Sequence, residues 1–260
     1  WVCAGVCLAP ACAWGWFKGR KRQAARNAAG VDGAAIGNHE CGFGDGELSK
    51  RMGEATFEWV VSNVVDTNTG KPIGGAKPFV VKSFGGLKVG FIGLCLTTQE
   101  ITADKLKHTK LVNPLVAAGQ YLRELKKAGA TVIVAVTHLA IATDRELVER
   151  YPEIDLVIGG HEHYLITDID GKALISKAGS DARTVARIDV NRNGNGPTER
   201  FYELLPITRE LADDPKTAAS IASFESRLGA ELSTVVGATR VPPDGVTADQ
   251  QTRETNLGNL

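Results

Sequence analysis

Residues 155–164, DLVIGGHEHY, join an apolar run to two glycines and a pair of histidines, His161 and His163. A short apolar run that ends in glycine is typical of a buried strand, so we predict a strand over 155–159. Imidazole is a good ligand for ions such as Zn²⁺, Mn²⁺ and Fe²⁺. In extended backbone, residues two apart point to the same side, so both histidines can face one metal site while Glu162 turns away.

Two further predicted strands run directly into polar side chains of the same kind. DGAAIGNHE gives Asn38 and His39, and TVIVAVTHL gives His138. The carboxyl ends of parallel strands lie along one edge of an α/β sheet, which is where ligands usually bind. We therefore expect all three loops to contribute to one transition-metal site.

Each loop also has a purely structural interpretation. A lone histidine at a strand end, such as His138, is more often a hydrogen-bonded structural residue. Independent structural histidines would not be expected to collect at three strand ends, so metal binding is favoured. His108, in DKLKHTK, lies outside this pattern and is interpreted as a surface residue.

The pattern of apolar runs predicts an α/β layered domain. From about Ala25 to Asp189, short apolar runs alternate with amphipathic charged stretches. A helix is predicted over 113–129, where Asn113 can cap it, Pro114 suits its first turn and Gly129 suits its end. Strands are predicted near 31–37, 60–65, 78–83, 87–94, 131–137 and 155–159, with a second helix over 143–151.

The sequence changes character after Gly160. Short strands separated by Asp-Gly and Asn-Gly turns follow, and we predict that they pair antiparallel. A helix is predicted from about Pro215 to Leu232, and the prolines near 243 are typical of a linker.

Composition limits the classes of function. The 260 residues include 30 basic and 30 acidic side chains and are 43% hydrophobic, so no global charge favours nucleic acid or anionic lipid. The basic cluster Lys18–Arg22 is interpreted as a solvated charge run. The five cysteines show no disulfide or zinc-finger spacing.

The opening apolar stretch is too short to cross a bilayer, and its positive charge follows it, so we infer no targeting signal. The lack of an initial methionine indicates a missing start.

The motifs GVDGAAIGNHE, GLKVGFIGL, VAVTHL and DLVIGGHEHY resemble, in the same order, those of the calcineurin-like metallophosphoesterases, and within them the bifunctional metallophosphatase/5'-nucleotidase group. The likeness covers about residues 24–210, and TRETNLGNL is similar to the opening of the group's C-terminal nucleotide-recognition domain. It implies a four-layered α/β sandwich, with sheets flanked by helices, that lacks its first strand-loop motifs. The implied divisions are an atypical segment over 1–23, which we interpret as out of frame, a partial metallophosphoesterase domain over 24–210, a helical connector over 211–242, and a linker with the start of a truncated domain over 243–260.

The resemblance also implies roles for the site residues. Two divalent ions, of Mn, Zn, Fe or similar, would be the cofactors: Asn38, His138 and His161 would bind one, and His163 the other. His39 would stabilise the transition state or protonate the leaving oxygen. The reaction would be hydrolysis of a small-molecule phosphoester, a nucleotide above all, with no nucleic-acid polymer and no membrane span. Family analogy implies a periplasmic or extracellular location, and the oligomeric state stays open.

This chain departs from the family pattern in three places. The Asp-x-His strand end and the Gly-Asp loop that open the family's domain do not occur, which leaves the second ion with His163 alone. Gly42 stands where the nucleotidases carry an aspartate that orients the catalytic histidine, and Asp45 is the nearest substitute. The base-recognising domain is missing. We therefore predict an impaired hydrolase, with a non-catalytic metal-binding remnant and a mononuclear hydrolase of another ester as alternatives.

Overall fold

The computed structural model describes residues 2–4, 19–97, 106–194 and 196–233. The chain divides into two compact units, Trp1–Ile221 and Ala222–Leu260. The predicted linker and domain start over 243–260 lie outside the described residues, as does most of the atypical segment over 1–23. Within the described ranges, no helix combines the length and the apolar character needed to cross a bilayer.

The helices of the described part follow the capping signals where those signals are strong. In order they are α1 Arg20–Ala28, α2 Asp45–Gly53, α3 Pro114–Lys127, α4 Ile141–Arg150 and α5 Pro215–Leu232. The Asn113 side chain accepts hydrogen bonds from the backbone N–H groups of Leu115 and Val116, and Pro114 occupies the first turn of α3, as predicted. Two 3-10 turns, Asn38–Phe43 and Ile73–Gly75, lie between these helices and the strands.

The strands form two main sheets and two ribbons. They are β1 Val2–Ala4, β2 Gly33–Ala35, β3 Glu58–Trp59, β4 Val64–Asp66, β5 Phe79–Phe84, β6 Leu87–Cys95, β7 Thr109–Leu111, β8 Val132–His138, β9 Leu156–Gly159, β10 Leu165–Asp170, β11 Ala173–Ala178, β12 Thr184–Asn191 and β13 Glu199–Pro206. One sheet has the order β10-β11-β9-β8-β6-β5 and the other β1-β2-β3, while β4 pairs with β7 and β12 with β13.

The centre of the larger sheet is buried on both faces. All seven residues of β8 are buried, and they alternate between two cores: Ile133 faces the cluster that contains α3 and α4, while Val134 faces the cluster that contains Ala35 of β2. A strand covered on both faces has no need of polar positions, which explains the continuous apolar run. Ala34, next to Ala35, belongs to the same cluster as Leu48 of α2, so the smaller sheet is also packed on both sides. Four layers result, as the resemblance implied.

Most predicted strands and helices are confirmed, within a few residues at each end. The helices over 114–127, 141–150 and 215–232 and the antiparallel pairs β10/β11 and β12/β13 lie where they were predicted. The single strand expected over 60–65 is wrong: β3 and β4 flank Val60–Asn63, whose Asn63 side chain is buried and bonds the backbone of Cys95.

Two helices were missed, and one charged segment was misinterpreted. Helices α1 and α2 carry mostly charged and small residues, so their apolar stripe is too weak to read from periodicity. The basic cluster was predicted to be solvated, but Arg22 is buried with Arg26 on α1, because both guanidinium groups face the Glu40 carboxylate. The strand expected over 31–37 is shorter, at Gly33–Ala35.

Candidate metal centre

The candidate site is built on the carboxyl ends of strands from both sheets. β6, β8 and β9 are parallel neighbours, with Cys95 beside His138 and Thr137 beside Gly159 in register. His138 is the last residue of β8, and the His161 loop leaves β9 at the same edge. β2 of the smaller sheet leads into the turn that begins at Asn38. The predicted convergence of the three loops is therefore observed for Asn38, His138 and His161.

The closest contact in the site joins Asn38 and His138. The Oδ1 atom of Asn38 lies 2.9 Å from Nε2 of His138. Gly37 makes this approach possible, because a Cβ atom built on it would lie 2.8 Å from Nδ1 of the His138 ring. The turn can therefore press its backbone against the imidazole only with glycine at this position.

His138 is shielded from solvent and neutral. His138 is 4% exposed. Burial lowers the pKa of its ring to about 4, although the nearby charge of Glu40 acts to raise it. The His161 ring packs edge-on against it, with ring centroids 5.4 Å apart. Nδ1 of His138 is buried and has no hydrogen-bond partner among the described residues. The ring is thus in the uncharged form that binds metal ions.

The residues present fit a first divalent ion. Oδ1 of Asn38 and Nε2 of His138 lie 2.9 Å apart and form a hydrogen bond, and an amide oxygen and a neutral imidazole nitrogen are both suitable ligands for a divalent transition-metal ion. Within the described ranges, no three His, Cys, Asp or Glu side chains form a cluster that could hold an ion. The candidate ligands at this edge are the imidazoles of His138 and His161 and the amide of Asn38, which contact one another through His138.

The other two candidate residues sit differently. His39 is exposed, and it lies near enough to the buried His138 ring to interact with it electrostatically. His163 is also exposed, and among the described residues no contact joins its side chain to Asn38, His138 or His161.

The backbone around His161 is not the extended strand that we predicted. His161 has φ of 90° and His163 has φ of 63°, and both values lie in the left-handed region. β9 ends at Gly159, so the alternation of an extended chain no longer decides where these side chains point. Left-handed backbone is unfavourable for residues with a Cβ and persists only when surrounding contacts enforce it.

Glu40 anchors the turn that carries Asn38 and was not singled out from the sequence. Its carboxylate accepts a hydrogen bond from the backbone N–H of Gly37 at 2.9 Å and pairs with Arg26 at 3.3 Å and Arg22 at 3.8 Å. These positive charges and the backbone bond hold the pKa of Glu40 below its usual range in spite of strong desolvation. A glutamate three residues after Gly37, placed so that its carboxylate can accept from the Gly37 backbone N–H, was the available signal.

Asp45 does not substitute for the orienting aspartate. Its carboxylate accepts hydrogen bonds from the backbone N–H of His108, at 2.7 Å, and from the hydroxyl of Thr109. The carboxylate is thus committed to the β7 strand rather than to His39. His108 itself is exposed, as predicted.

A buried lysine behind the site was also missed. Lys177 of β11 bonds the loops that follow His138 and precede His161, together with Asp144 and Glu162. A lysine in the mostly apolar run ALISKA was the available signal.

Comparison with known proteins gives a consistent result. Residues 24–165 match the profile of the family described as calcineurin-like phosphoesterase. The chain is 30% identical over 215 residues to the uncharacterized metallophosphoesterase YunD of Bacillus subtilis, which covers 79% of this chain and 45% of the relative. It is 24% identical over 275 residues to the 5'-nucleotidase of Bos taurus, which covers 94% of this chain and 47% of the relative.

Solved structures show the same fold. The 5'-nucleotidase precursor from Thermus thermophilus superposes with a TM-score of 0.81 at 23% identity, over 99% of this chain and 55% of that one. The calcineurin-like phosphoesterase YfkN from Bacillus subtilis superposes with a TM-score of 0.69 at 20% identity, over 82% of this chain and 75% of that one. The chain thus spans about half the length of the curated relatives described above.

Proposed function

The chain belongs to the calcineurin-like phosphoesterase family, and on that basis we propose that it is a metal-dependent phosphoester hydrolase of the 5'-nucleotidase type. The observation that carries the proposal is the approach of Asn38 and His138 to 2.9 Å at a sheet edge. Parallel strands place their carboxyl ends there, where ligands of α/β proteins usually bind.

We assign the metal ligands as the sequence motifs indicate. Asn38, His138 and His161 hold one divalent ion, and His163 contributes to a second, so that the working centre is dinuclear. Bound divalent ions supply charge that stabilises the phosphoryl oxygens and makes a water molecule a better nucleophile. The protein's own part is to fix the ligand positions, which it does through buried His138 and the turn held by Glu40.

His39 is the proposed catalytic residue. It follows a proposed ligand directly, and its side chain is exposed. A protonated imidazole can stabilise negative charge on the phosphoryl group and donate a proton to the leaving oxygen. Its Nε2 or Nδ1 proton is therefore the one that we expect to move.

The names of the relatives suggest the substrate class, and the ligands assigned to the site suggest the level of activity. We propose a small nucleotide or related phosphoester as substrate, as the names of the relatives suggest, and a periplasmic or extracellular location by analogy. We also propose that this chain as given is impaired, because His163 is the one protein ligand assigned to the second ion. A single imidazole binds an ion weakly.

The test is metal-dependent turnover. The chain would be assayed for hydrolysis of an aryl phosphate with and without Mn²⁺, and Mn²⁺ binding would be followed by calorimetry. We expect binding of one ion at the Asn38 site together with slow, Mn²⁺-dependent release of phosphate. Turnover at the rate of an intact nucleotidase would overturn the impairment, and an absence of ion binding would overturn the metal centre.

A second candidate function is a non-catalytic metal-binding remnant. The isolated position of His163, exposed and without a described contact to the first set, favours it. In that case one ion at Asn38, His138 and His161 would raise the melting temperature, and no phosphate would be released.

A further inference from the structure

Lys177 is a deeply buried charged side chain near the site and takes no part in the proposed chemistry. It is 2% exposed and lies on β11, which is separated from β8 by β9. A buried ammonium group is costly unless every N–H finds an acceptor and a counter-charge. The contacts of the Lys177 ammonium group therefore indicate which part of the structure it stabilises.

The ammonium group bonds the backbone on both sides of the site. Nζ donates to the carbonyl oxygen of Leu139 at 2.6 Å and to that of Gly160 at 2.9 Å. Leu139 directly follows His138, and Gly160 directly precedes His161. One cation thus links the two loops that carry the histidine pair.

Two carboxylates complete the group. Glu162, the residue after His161, receives a hydrogen bond from Lys177 at 2.5 Å, and its other oxygen accepts from the backbone N–H of Ile141 at the start of α4. Asp144 of α4 lies 2.8 Å from the same Nζ and is 0% exposed. We call these three residues, Lys177, Asp144 and Glu162, the lysine cluster.

The path of the lysine stem is also specific. β11 pairs parallel with β9, which places Lys177 opposite Gly159. A Cβ atom on Gly159 would lie 2.9 Å from Cε of Lys177 and 3.1 Å from Cγ, so glycine is what lets the stem cross the strand. The chain therefore provides a passage for this side chain toward the histidine loops.

The contacts of the lysine cluster lie on both sides of His161, whose backbone is strained. His161 and His163 hold φ angles of 90° and 63°, which need external contacts to persist. The bonds from Lys177 to Gly160 and to Glu162 fix the segment on both sides of His161, and the bond from Ile141 to Glu162 fixes it to α4.

We propose that Lys177 is a positioning residue of the metal site, one that holds His138 and His161 at their observed separation through the backbone next to each. This inference rests on the proposed metal centre for its consequence, which is tight ion binding. Outer partners that orient metal ligands are typically worth about 10- to 100-fold in metal affinity, and that is the effect expected here. A lysine that only stabilises the fold would leave the affinity of the folded protein unchanged.

The experiment compares Lys177→Met, which keeps the length of the stem and removes the donors, with Lys172→Met as the matched control. Lys172 lies just before the same strand, 52% exposed, and pairs with Asp155 instead. Two readouts are used: the NOE between the His138 and His161 rings in the metal-free protein, and the Co²⁺ affinity with its visible absorption bands. Lys177→Arg tests rescue, since it keeps the charge and the donors.

We expect Lys177→Met to lose the ring-to-ring NOE and to bind Co²⁺ about 10- to 100-fold more weakly with altered absorption bands, while Lys172→Met matches the wild type. If Lys177→Met fails to fold, Glu162→Ala serves in its place, because Glu162 is less buried and links the same loops. A retained NOE together with an affinity within about twofold of wild type would overturn the positioning role.

The two proposals fail in different ways. If wild type binds no Co²⁺, the metal centre is wrong, and the NOE alone then decides whether Lys177 positions the histidines. If wild type binds Co²⁺ and Lys177→Met binds it equally well with the ring-to-ring NOE retained, the metal centre stands and the role of Lys177 is wrong.

Discussion

Asn38 Oδ1 lies 2.9 Å from His138 Nε2, although the two residues are 100 positions apart in the chain. One belongs to the turn after β2 of the smaller sheet and the other ends β8 of the larger sheet. The contact therefore joins the two sheets at the edge where their strands end. It is the pair from which the metal centre is inferred.

Replacing Asn38 by Ala removes one of the proposed ligands. We expect Mn²⁺ affinity to fall by at least about 100-fold, since even the outer partners of ligands are worth about 10- to 100-fold. Isothermal titration calorimetry measures this directly. Asn68→Ala is the control, because Asn68 is an exposed turn residue bonded through its backbone. Equal affinities for the two variants would remove Asn38 from the metal site.

Replacing His39 by Gln separates catalysis from stability. The exposed ring contributes little packing, so the free energy of unfolding should change by no more than about 0.5 kcal/mol. Mn²⁺-dependent aryl phosphate hydrolysis should fall by about 10²- to 10⁴-fold, the usual contribution of a general acid. His108→Gln, at an exposed position outside the site, should leave both quantities unchanged. A His39→Gln variant with unaltered turnover would show that this histidine is not catalytic.

Replacing Gly37 by Ala disturbs His138 without touching its chemistry. The new Cβ would lie 2.8 Å from Nδ1 and 2.9 Å from Cγ of the ring, so the ring or the turn must move. Overpacking of this kind costs about 1–3 kcal/mol, and we expect weaker Mn²⁺ binding as well. Urea unfolding and calorimetry measure the two effects.

Gly53→Ala is the control, and we expect it to raise stability where Gly37→Ala lowers it. Gly53 ends α2, and a Cβ there meets nothing within 4 Å. Alanine at a compatible helical position is favoured over glycine by up to about 1 kcal/mol. If Gly37→Ala were as stable as Gly53→Ala, the close approach of Gly37 to His138 would be contradicted.

Asp144 should make stability depend on pH. Burial raises its pKa from 3.8 to about 6, although the charge of Lys177 opposes the shift, and Thr137 and Glu162 are its other neighbours. The folded state thus holds this proton more tightly than the unfolded state, so its contribution is complete below about pH 4 and lost as pH rises through about 6. A shift of about two units corresponds to about 3 kcal/mol.

The measurement is urea unfolding between pH 4 and pH 8 for wild type and Asp144→Asn. Because the amide cannot ionise, the variant should not lose stability through this group as pH rises. Its free energy of unfolding relative to wild type should therefore increase with pH. Asp189→Asn, at a position where the carboxylate is 53% exposed, should follow the wild-type curve. Parallel curves for wild type and Asp144→Asn would contradict the raised pKa.

The local elements of the fold could be predicted because their causes are local. Asn113 and Pro114 set the start of α3. The Asn113 side chain accepts hydrogen bonds from backbone N–H groups of the first turn, and Pro114 has no N–H group to satisfy. The continuous apolar run of β8 reflects burial on both faces. Helix α1 was missed because Arg22 and Arg26 look like surface residues until Glu40, brought in by a different turn, neutralises them. Whether a charged side chain can be buried depends on a partner that is distant in the sequence, so the local sequence cannot predict it.

The sequence by itself determined which residue types could form the site and that they follow strand ends. GNHE, THL and GGHEH supply the amide and the imidazoles whatever the packing. Tertiary structure decided which of them meet. Asn38 and His138 do, whereas within the part of the chain that the structure describes no contact joins His163 to them. The backbone of His161 takes a left-handed conformation fixed by contacts from Lys177 on another strand. The physical reason is that ligand chemistry belongs to individual side chains, whereas their separation is set by strand order and by buried charges that act across the sheet.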